Sequence, residues 1–320
     1  MGATVPAAPR VLGVFGPTAT GKSAVAHGLA LRLDGEIVVC DPFQRYRGLE
    51  IAADSPRPAE RAEVPYHVVG DLDLTRSSSA GAFAVAAHAA VDDILARGRV
   101  PIVAGGTGLY LRAALCDLAF PSPPDEAVRA WADGLVAADP EAAADELRRR
   151  DPAAHAAVDV ANPRRLARAL ERAASGQPTA TDLFTAPHRL PTLLVALERP
   201  RAVIDALIAR RVRRELDEGL VAELEAALRT PGVAREPLQV IGAAEVAAMR
   251  GGTLDPDDLP ERLAARTRRL ARRQLQWLRR MPDAAPVPLG DAPAESAVAV
   301  IERMWHAAVT MPPGAVPAAP

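Results

Sequence analysis

The chain has 320 residues, a hydrophobic fraction of 49% and a formal net charge of −2. This length allows two domains, or one domain with a large insert, and the composition is apolar enough to bury a sizeable core. Because the total charge is close to zero, a nucleic-acid partner can be inferred only from local clusters of arginine.

The first motif along the chain is a glycine-rich loop. An apolar run at 11–15 predicts a buried strand before it, and the Ala- and Leu-rich stretch 24–33 predicts a helix after it. Strand, loop and helix in this order let backbone N–H groups and a helix N-terminus surround a phosphate. The residues predicted to bind phosphate are Gly16, Pro17, Thr18, Ala19, Thr20, Gly21, Lys22 and Ser23.

Lys22 is the only lysine in the chain. A planar guanidinium cannot replace a compact ammonium among phosphate oxygens, so this exception indicates a role in phosphate binding. The hydroxyl of Ser23 is predicted to reach a metal ion. The alternative is a chance match in a chain rich in Gly and Ala, which the flanking strand and helix disfavour.

Asp41 directly follows a second predicted strand, 36–40. Ligands of open α/β sheets bind at the carboxyl ends of the strands, so this side chain is expected near the phosphate loop. There it would serve as a general base or a metal ligand, and a helix N-cap is the alternative. The next residues, 52–80, are expected to form a loop, and a helix is predicted at 80–97.

Thr107 lies in a glycine turn that follows a third predicted strand, 100–104. The turn places Thr107 near the same crevice, although by itself it also fits an ordinary turn. No Asp or Glu closes this strand, as the metal-holding acid of a nucleotide triphosphatase would. This counts against ATP hydrolysis and leaves another phosphorylated ligand open.

The pattern changes beyond the proline-rich stretch 121–124. Helices are predicted at 125–137, 140–150 and 162–175, and we interpret the segment as an all-helical insert. Its arginines include Arg129, Arg164, Arg165 and Arg168.

A further apolar strand at 191–197 returns the chain to the sheet. The stretch 202–228 predicts an amphipathic helix or pair of helices, whose arginines are interleaved with acids and fit an ion-paired face. The long helix predicted at 260–280 differs, because no acid lies between Glu261 and Asp283. Uncompensated positive charge along one helix repels itself, which favours a polyanionic partner.

We therefore predict an α/β fold, with a P-loop parallel-sheet core and an inserted all-helical domain. The predicted boundaries are 1–120 for the first part of the core, 121–188 for the insert, 189–308 for the return to the core with basic C-terminal helices, and 309–320 for a disordered tail.

These motifs together resemble those of the tRNA dimethylallyltransferases, also called tRNA isopentenyltransferases. The resemblance runs from about Val11 to Met281, in order. It rests on Gly-Pro-Thr-Ala-Thr-Gly-Lys-Ser at 16–23, Asp-x-x-Gln-x-Tyr-Arg-Gly at 41–48, Gly-Gly-Thr-Gly-Leu-Tyr at 105–110, Asn-x-Arg-Arg-Leu-x-Arg-Ala-Leu-Glu at 162–171, Gln-x-Ile-Gly-x-x-Glu at 239–245, and Thr-Arg-Arg-x-Ala-Arg-Arg-Gln-x-x-Trp-x-Arg at 267–279.

The resemblance implies transfer of a dimethylallyl group from its diphosphate to N6 of adenosine 37, beside the anticodon of tRNA, with Mg²⁺ bound at Ser23. The phosphate loop would then hold the diphosphate leaving group. Asp41 matches the family's catalytic base, and Thr107 the threonine that helps to fix that site. The residues implied to contact tRNA are Pro42, Phe43, Gln44, Arg129, Arg164, Arg165, Arg168, Gln239, Gly242, Arg272, Arg273, Gln274, Trp277 and Arg279.

The chain departs from the family pattern on the substrate side. Pro42 replaces a serine, and Ile-Ala-Ala-Asp-Ser-Pro at 51–56 replaces Ile-Gly-Thr-Ala-Lys-Pro. Ala243 and Ala244 stand where the family has aromatic and basic residues. Two alternatives follow: prenyl transfer to a free adenine nucleotide, and a catalytically weakened RNA-binding paralogue.

The remaining sequence features concern location. Two cysteines, Cys40 and Cys116, are too few for a disulfide framework and favour a reducing compartment. No apolar run approaches the roughly 18 residues of a membrane span, and the N-terminus has no signal-peptide pattern. We expect a cytoplasmic monomer with no membrane contact.

Overall fold

Six parallel strands form one sheet in the computed structural model, which describes residues 8–120, 125–176 and 186–310. The order across the sheet is β3-β2-β4-β1-β5-β6. The strands are β1 (Val11–Phe15), β2 (Gly35–Val39), β3 (Tyr66–His67), β4 (Val100–Gly105), β5 (Thr192–Glu198) and β6 (Ala285–Pro288).

Helices connect and follow these strands along the chain. They are α1 (Lys22–Leu33), α2 (Pro58–Glu63), α3 (Ala80–Ala96), α4 (Gly108–Leu115), α5 (Glu126–Ala138), α6 (Pro140–Arg150), α7 (Pro152–Ala157), α8 (Pro163–Ala174), α9 (Arg201–Asp217), α10 (Leu220–Leu228), α11 (Ala243–Arg250), α12 (Leu259–Leu278) and α13 (Ser296–Thr310). None of these helices is long and apolar enough to cross a bilayer.

The hydrophobic core is built around the central strands. Side chains of β1, β2, β4 and β5 pack with α1 and α13 in one cluster, in which Leu29, Ile301 and Trp305 are buried. A second cluster joins α9, α10, α11 and α12 around Ile208 and Leu263. This second cluster positions α9 and α12 beside the end of the sheet where β1 terminates.

The chain divides into two compact units, residues 1–117 with 183–320, and residues 118–182. The smaller unit contains α5 to α8, which share a core of their own. An Asp or Asn caps each of these helices, and a proline stands at the first turn of α6, α7 and α8. Proline fits the first helical turn, and Asp or Asn accepts free N–H groups there. Each Asp-Pro or Asn-Pro pair therefore begins a new helix.

The chain leaves and re-enters the larger unit at neighbouring points. Cys116 forms an isolated antiparallel bridge with His188, and the Arg189 N–H donates to the Leu115 carbonyl at 2.7 Å. The two ends of the inserted segment are therefore held side by side by backbone hydrogen bonds of the larger unit.

The predicted strands and long helices are confirmed to within two residues at each end. Several short elements were missed: α2 and β3 lie in the segment 52–80 that was expected to be a loop. The helices α4, α7, α11 and α13 and the strand β6 were not predicted either. Val309 and Thr310, placed in the tail by the sequence, belong to α13. The rest of the predicted tail, 311–320, and the predicted break at 121–124 lie outside the described residues.

Candidate active site

The strand register brings the predicted site together at one edge of the sheet. Phe15, at the end of β1, pairs with Gly105 at the end of β4 and with Ala196 in β5. The Cys40 N–H donates to the Ala104 carbonyl at 2.8 Å, so β2 ends at the same level. The phosphate loop, Asp41 and Thr107 each follow one of these strand ends, as ligand-binding residues of open α/β sheets do.

The phosphate loop is shaped by its own hydrogen bonds. The Pro17 carbonyl accepts from the Thr20 hydroxyl at 2.8 Å and from the Lys22 ammonium at 2.7 Å. Gly21, with φ at 93°, begins α1, and a Cβ there would lie 2.3 Å from the Cβ of Ala294. Only glycine fits this position, because both the backbone angle and the close neighbour exclude a side chain.

Helix α12 supports the loop from the far end of the chain. Gln274 is 5% exposed, and its Oε1 accepts from the Thr18 N–H at 2.7 Å. A Cβ at Gly106 would lie 2.5 Å from Nε2 of this glutamine. Gln274 therefore fills the space between the phosphate loop and the glycine turn after β4.

Lys22 keeps its charge under opposing influences. Burial and the nearby Arg211 guanidinium lower its pKa to about 8, while the carboxylates of Asp41 and Asp54 act in the other direction. The loop therefore presents an ammonium that is partly destabilised before any anion binds. An anionic ligand would relieve this destabilisation, because a nearby negative charge favours the protonated form.

Asp41 is held in place by a backbone hydrogen bond after the end of β2. Its Oδ1 accepts from the Phe43 N–H at 2.8 Å, which closes a tight turn. No helix starts here, so the N-cap alternative is excluded. Burial raises the pKa of Asp41, against the lowering influence of the Phe43 and Gln44 N–H groups, Arg211 and Lys22. A carboxylate with a raised pKa beside cationic groups is a suitable general base.

Arg211 of α9 is a site residue that the sequence did not identify. Its Nη1 donates to the Thr18 hydroxyl at 3.0 Å and lies 3.1 Å from Asp54 Oδ2, while its Nε donates to Glu215 at 2.5 Å. Arg199, after β5, also donates from Nε to the Thr20 carbonyl at 3.1 Å. Arg211 lies in a stretch of interleaved acids and bases, so no spacing signal separated it from its neighbours.

Thr107 is half-buried at the N-cap position of α4, and its side chain does not cap that helix. Cys40, which directly precedes Asp41, is an unsuitable nucleophile, because burial raises the pKa of its thiol. Asp41 therefore remains a candidate base at this edge of the sheet.

Comparison with known proteins agrees with this arrangement. A model described as IPP transferase matches residues 44–281, and a model described as isopentenyl transferase matches residues 9–66. The chain belongs to the IPP transferase family.

Relatives of this IPP transferase family member cover most of its length. It is 40% identical to a tRNA dimethylallyltransferase of Kineococcus radiotolerans, over 92% of this chain and 96% of the relative. It is 42% identical to a tRNA dimethylallyltransferase of Anaeromyxobacter dehalogenans, over 85% of this chain and 92% of the relative. The crystal structure of the tRNA isopentenylpyrophosphate transferase from Bacillus halodurans matches with a TM-score of 0.68 and 29% identity, over 94% of this chain and 96% of that one.

The predicted RNA contacts of this IPP transferase family member fall into separate groups. Arg272 and Arg273 of α12 and Arg279, directly after it, are exposed, and no ion pair is found for them among the described residues. Other arginines of this helix are neutralised from elsewhere, since Arg266 pairs with Glu245 at 2.9 Å and Arg268 pairs with Glu261. Fewer arginines of α12 are therefore free to contact an anionic partner than the sequence indicated.

Three predicted contacts have structural roles in this family member. Gln274 supports the phosphate loop, and the Trp277 ring lies where a Cβ on Gly108 would come within 2.2 Å of it. Gly242, with φ at 106°, begins α11, and its N–H donates to Glu245 at 3.2 Å. Gln239 differs, because it is exposed in a short 3₁₀ turn.

Pro42, Phe43 and Gln44 follow Asp41 and are half-buried. The Gln44 amide donates to the carbonyls of Ala53 and Asp54 at 3.1 and 3.3 Å, so it anchors the neighbouring turn.

The insert carries the other predicted contacts of the family member. Arg164 and Arg165 are exposed in the first turn of α8. Arg168 is paired with Glu171, and the half-buried Arg129 has no hydrogen-bond partner for Nε among the described residues. Arg165 lies 3.7 Å from the carboxylate of Asp159, so Arg164 presents the most accessible charge of this group.

The role of Gln274 leads to a stability prediction. Gln274→Met should lower the free energy of unfolding by about 1–3 kcal/mol, because it leaves the buried Thr18 N–H without an acceptor. Gln276→Met, at an exposed position of the same helix, should change it by less than about 0.5 kcal/mol. Urea unfolding of both variants checks this, and equal stabilities would mean that Gln274 does not support the loop.

Proposed function

We propose that the protein transfers a dimethylallyl group from dimethylallyl diphosphate to N6 of adenosine 37 in tRNA. The observation that carries the proposal is Asp41, a carboxylate of raised pKa within electrostatic reach of Lys22 in the phosphate loop. Membership of the IPP transferase family and relatives named tRNA dimethylallyltransferase support the same conclusion.

In this reaction the bond between the allylic carbon and the diphosphate oxygen breaks while the adenine nitrogen bonds to that carbon. The proton of the exocyclic amine passes to Asp41. Negative charge that develops on the departing diphosphate would be stabilised by the loop N–H groups, Lys22 and Arg211. Arg211 joins this set because its Nη1 reaches the Thr18 hydroxyl.

Mg²⁺ fits the proposed site as a partner of the diphosphate. Ser23 presents an exposed hydroxyl at the start of α1. Across the described ranges, no three His, Cys, Asp or Glu side chains come together as a metal cage. This donor set suits Mg²⁺, which retains waters and is commonly held by few protein groups plus substrate phosphates. Bound there, the ion would neutralise diphosphate charge.

The exposed arginines at the end of α12 and directly after it favour tRNA over a free adenine nucleotide as the acceptor. Arg272, Arg273 and Arg279 offer phosphate contacts that a small acceptor does not need. An adenine of the anticodon loop would have to be splayed out of its stack to reach Asp41. Arg129, Arg164, Arg165 and Arg168 of the insert are assigned to the same RNA, and a cytoplasmic monomer is part of the proposal.

The direct test is incubation of the protein with dimethylallyl diphosphate, Mg²⁺ and unmodified tRNA, with AMP as a competing acceptor. Nucleoside mass analysis should find the added prenyl group on adenosine of the tRNA and not on AMP. Prenylated AMP as the main product would favour the free-nucleotide alternative. Normal tRNA binding without any product would favour the weakened paralogue.

Asp41→Asn tests the assignment of the base. The carboxamide keeps an oxygen for the Phe43 N–H but cannot take up the amine proton, so the transfer rate should fall by about 10²–10⁴-fold. Affinity for tRNA should remain within about twofold. Single-turnover kinetics and a filter-binding assay measure the two quantities.

Asp34→Asn is the matched control for this variant. Asp34 is exposed and has φ at 47°, which asparagine tolerates, so transfer should be unchanged. If Asp41→Asn retains the activity of this control, Asp41 is not the base.

The lowered pKa of Lys22 predicts a pH dependence of diphosphate binding. The ammonium is lost as pH rises through about 8, so affinity for dimethylallyl diphosphate should decline above that pH. The ligand itself is already ionised there, because phosphate groups of this kind have a second pKa of about 6. Lys22→Met should bind weakly with little change between pH 7 and 9. Calorimetric titration of both proteins with dimethylallyl diphosphate, without tRNA, checks these expectations. If the affinity of the wild-type protein and that of Lys22→Met change with pH in the same way, the role of Lys22 is contradicted.

Salt dependence tests the basic surface of α12. We expect the association constant for tRNA to fall as salt concentration rises. Replacing Arg272 and Arg273 by glutamine should make the log–log slope less steep by about 0.7–0.9 for each lost phosphate contact. The matched control replaces the exposed Arg10 and Arg303 by glutamine, which removes the same amount of charge. Equal slopes for the two double variants would contradict the RNA-binding role of α12.

A further inference from the structure

The turn at residues 51–56, which departs from the family pattern, places an acid beside the phosphate loop. Asp54, with φ at 51°, is the acid, and its carboxylate lies 3.1 Å from Arg211 Nη1 and 2.6 Å from Arg214 Nη2. The turn is fixed on both sides. Gln44 donates to its carbonyls, and Glu223 of α10 accepts from the N–H groups of Ile51 and Ala52 at 2.9 and 2.8 Å.

The contact with Asp54 involves the guanidinium nitrogen that also reaches the phosphate loop. Arg211 Nη1 lies 3.0 Å from the Thr18 hydroxyl as well as 3.1 Å from Asp54. A diphosphate in the loop would therefore draw on the same nitrogen that Asp54 uses. The Asp54 charge also reaches Lys22, whose pKa it raises.

We propose that Asp54 is an internal counter-anion that competes with the diphosphate for Arg211 and so limits how tightly the site holds this group. The inference rests on the proposed role of the phosphate loop as a diphosphate site. Asp54 thereby favours release of the diphosphate product after transfer, in addition to orienting Arg211 when the loop is free.

The surrounding charges allow Asp54 to give up this contact. Arg214 is its second partner, so the carboxylate stays paired when Arg211 turns to an anion. Glu215 holds Arg211 Nε at 2.5 Å, so the guanidinium remains tethered while Nη1 changes partner. Neither the Asp54 carboxylate nor the Arg211 guanidinium is therefore left buried and unpaired when Nη1 moves to the diphosphate. An unpaired buried charge would oppose this change of partner.

The test measures binding of inorganic pyrophosphate, with Mg²⁺, to wild-type protein and Asp54→Asn. Asparagine tolerates the positive φ of this position, so the turn should be kept. The variant should bind pyrophosphate about tenfold more tightly, because one negative charge beside the cationic site is removed. The inhibition constant of pyrophosphate against dimethylallyl diphosphate should fall by the same factor. The KM for tRNA should stay within about twofold.

Two further variants keep the test decisive. Asp73→Asn removes an exposed carboxylate that pairs with Arg47, away from the loop, and should leave pyrophosphate affinity unchanged. In an Arg211→Gln background, Asp54→Asn should improve binding by no more than about twofold, because the contested nitrogen is gone. Thermal unfolding shows whether each variant is folded, and competitive inhibition in the assay provides a second readout.

The outcomes separate this inference from the proposed function. If wild-type protein modifies tRNA but Asp54→Asn binds pyrophosphate no more tightly than Asp73→Asn, the counter-anion role fails alone. The counter-anion role is also overturned if Asp54→Asn raises pyrophosphate affinity by the full factor in the Arg211→Gln background. Competition for Arg211 would then not be the cause of the tighter binding. If pyrophosphate binding follows the expected order but no tRNA is modified, the proposed function fails and the counter-anion role stands.

Discussion

The site depends on a balance of charge around the phosphate loop. Lys22 and Arg211 repel each other in a half-buried setting, and burial lowers the pKa of Lys22 further. Asp41 and Asp54 supply the opposite charge that keeps the ammonium protonated near neutral pH. Two cations and two carboxylates therefore form one coupled group. Arg211, Asp41 and Asp54 each act on the pKa of Lys22, so an anion that enters this group changes the proton affinity of the lysine.

The same group is assembled from distant parts of the chain. The loop follows β1, Asp41 follows β2, Arg211 lies on α9, and Gln274 reaches the loop from α12. The parallel sheet aligns the first two, because its strands end at a common edge. The second hydrophobic cluster aligns the others, since α9 and α12 pack together within it. Packing far from the chemistry thus fixes the position of the charges.

The local parts of this arrangement could be predicted from sequence, and the long-range parts could not. The phosphate loop and Asp41 were found because apolar runs mark the strands that precede them. Gln274 is predicted as an RNA contact, and no local pattern indicates that its amide oxygen also accepts from the Thr18 N–H. The edge strand β6, Ala285–Pro288, was missed because its prolines argue against a strand, although an edge position tolerates them.

The bridge between Cys116 and His188 has a consequence for how the inserted unit relates to the fold. Its two ends leave the sheet domain side by side, and it buries a separate core. Closing a longer loop between fixed ends adds little entropy cost, since that cost grows only with the logarithm of length. An inserted segment of a different length would therefore cost little more to close at this position.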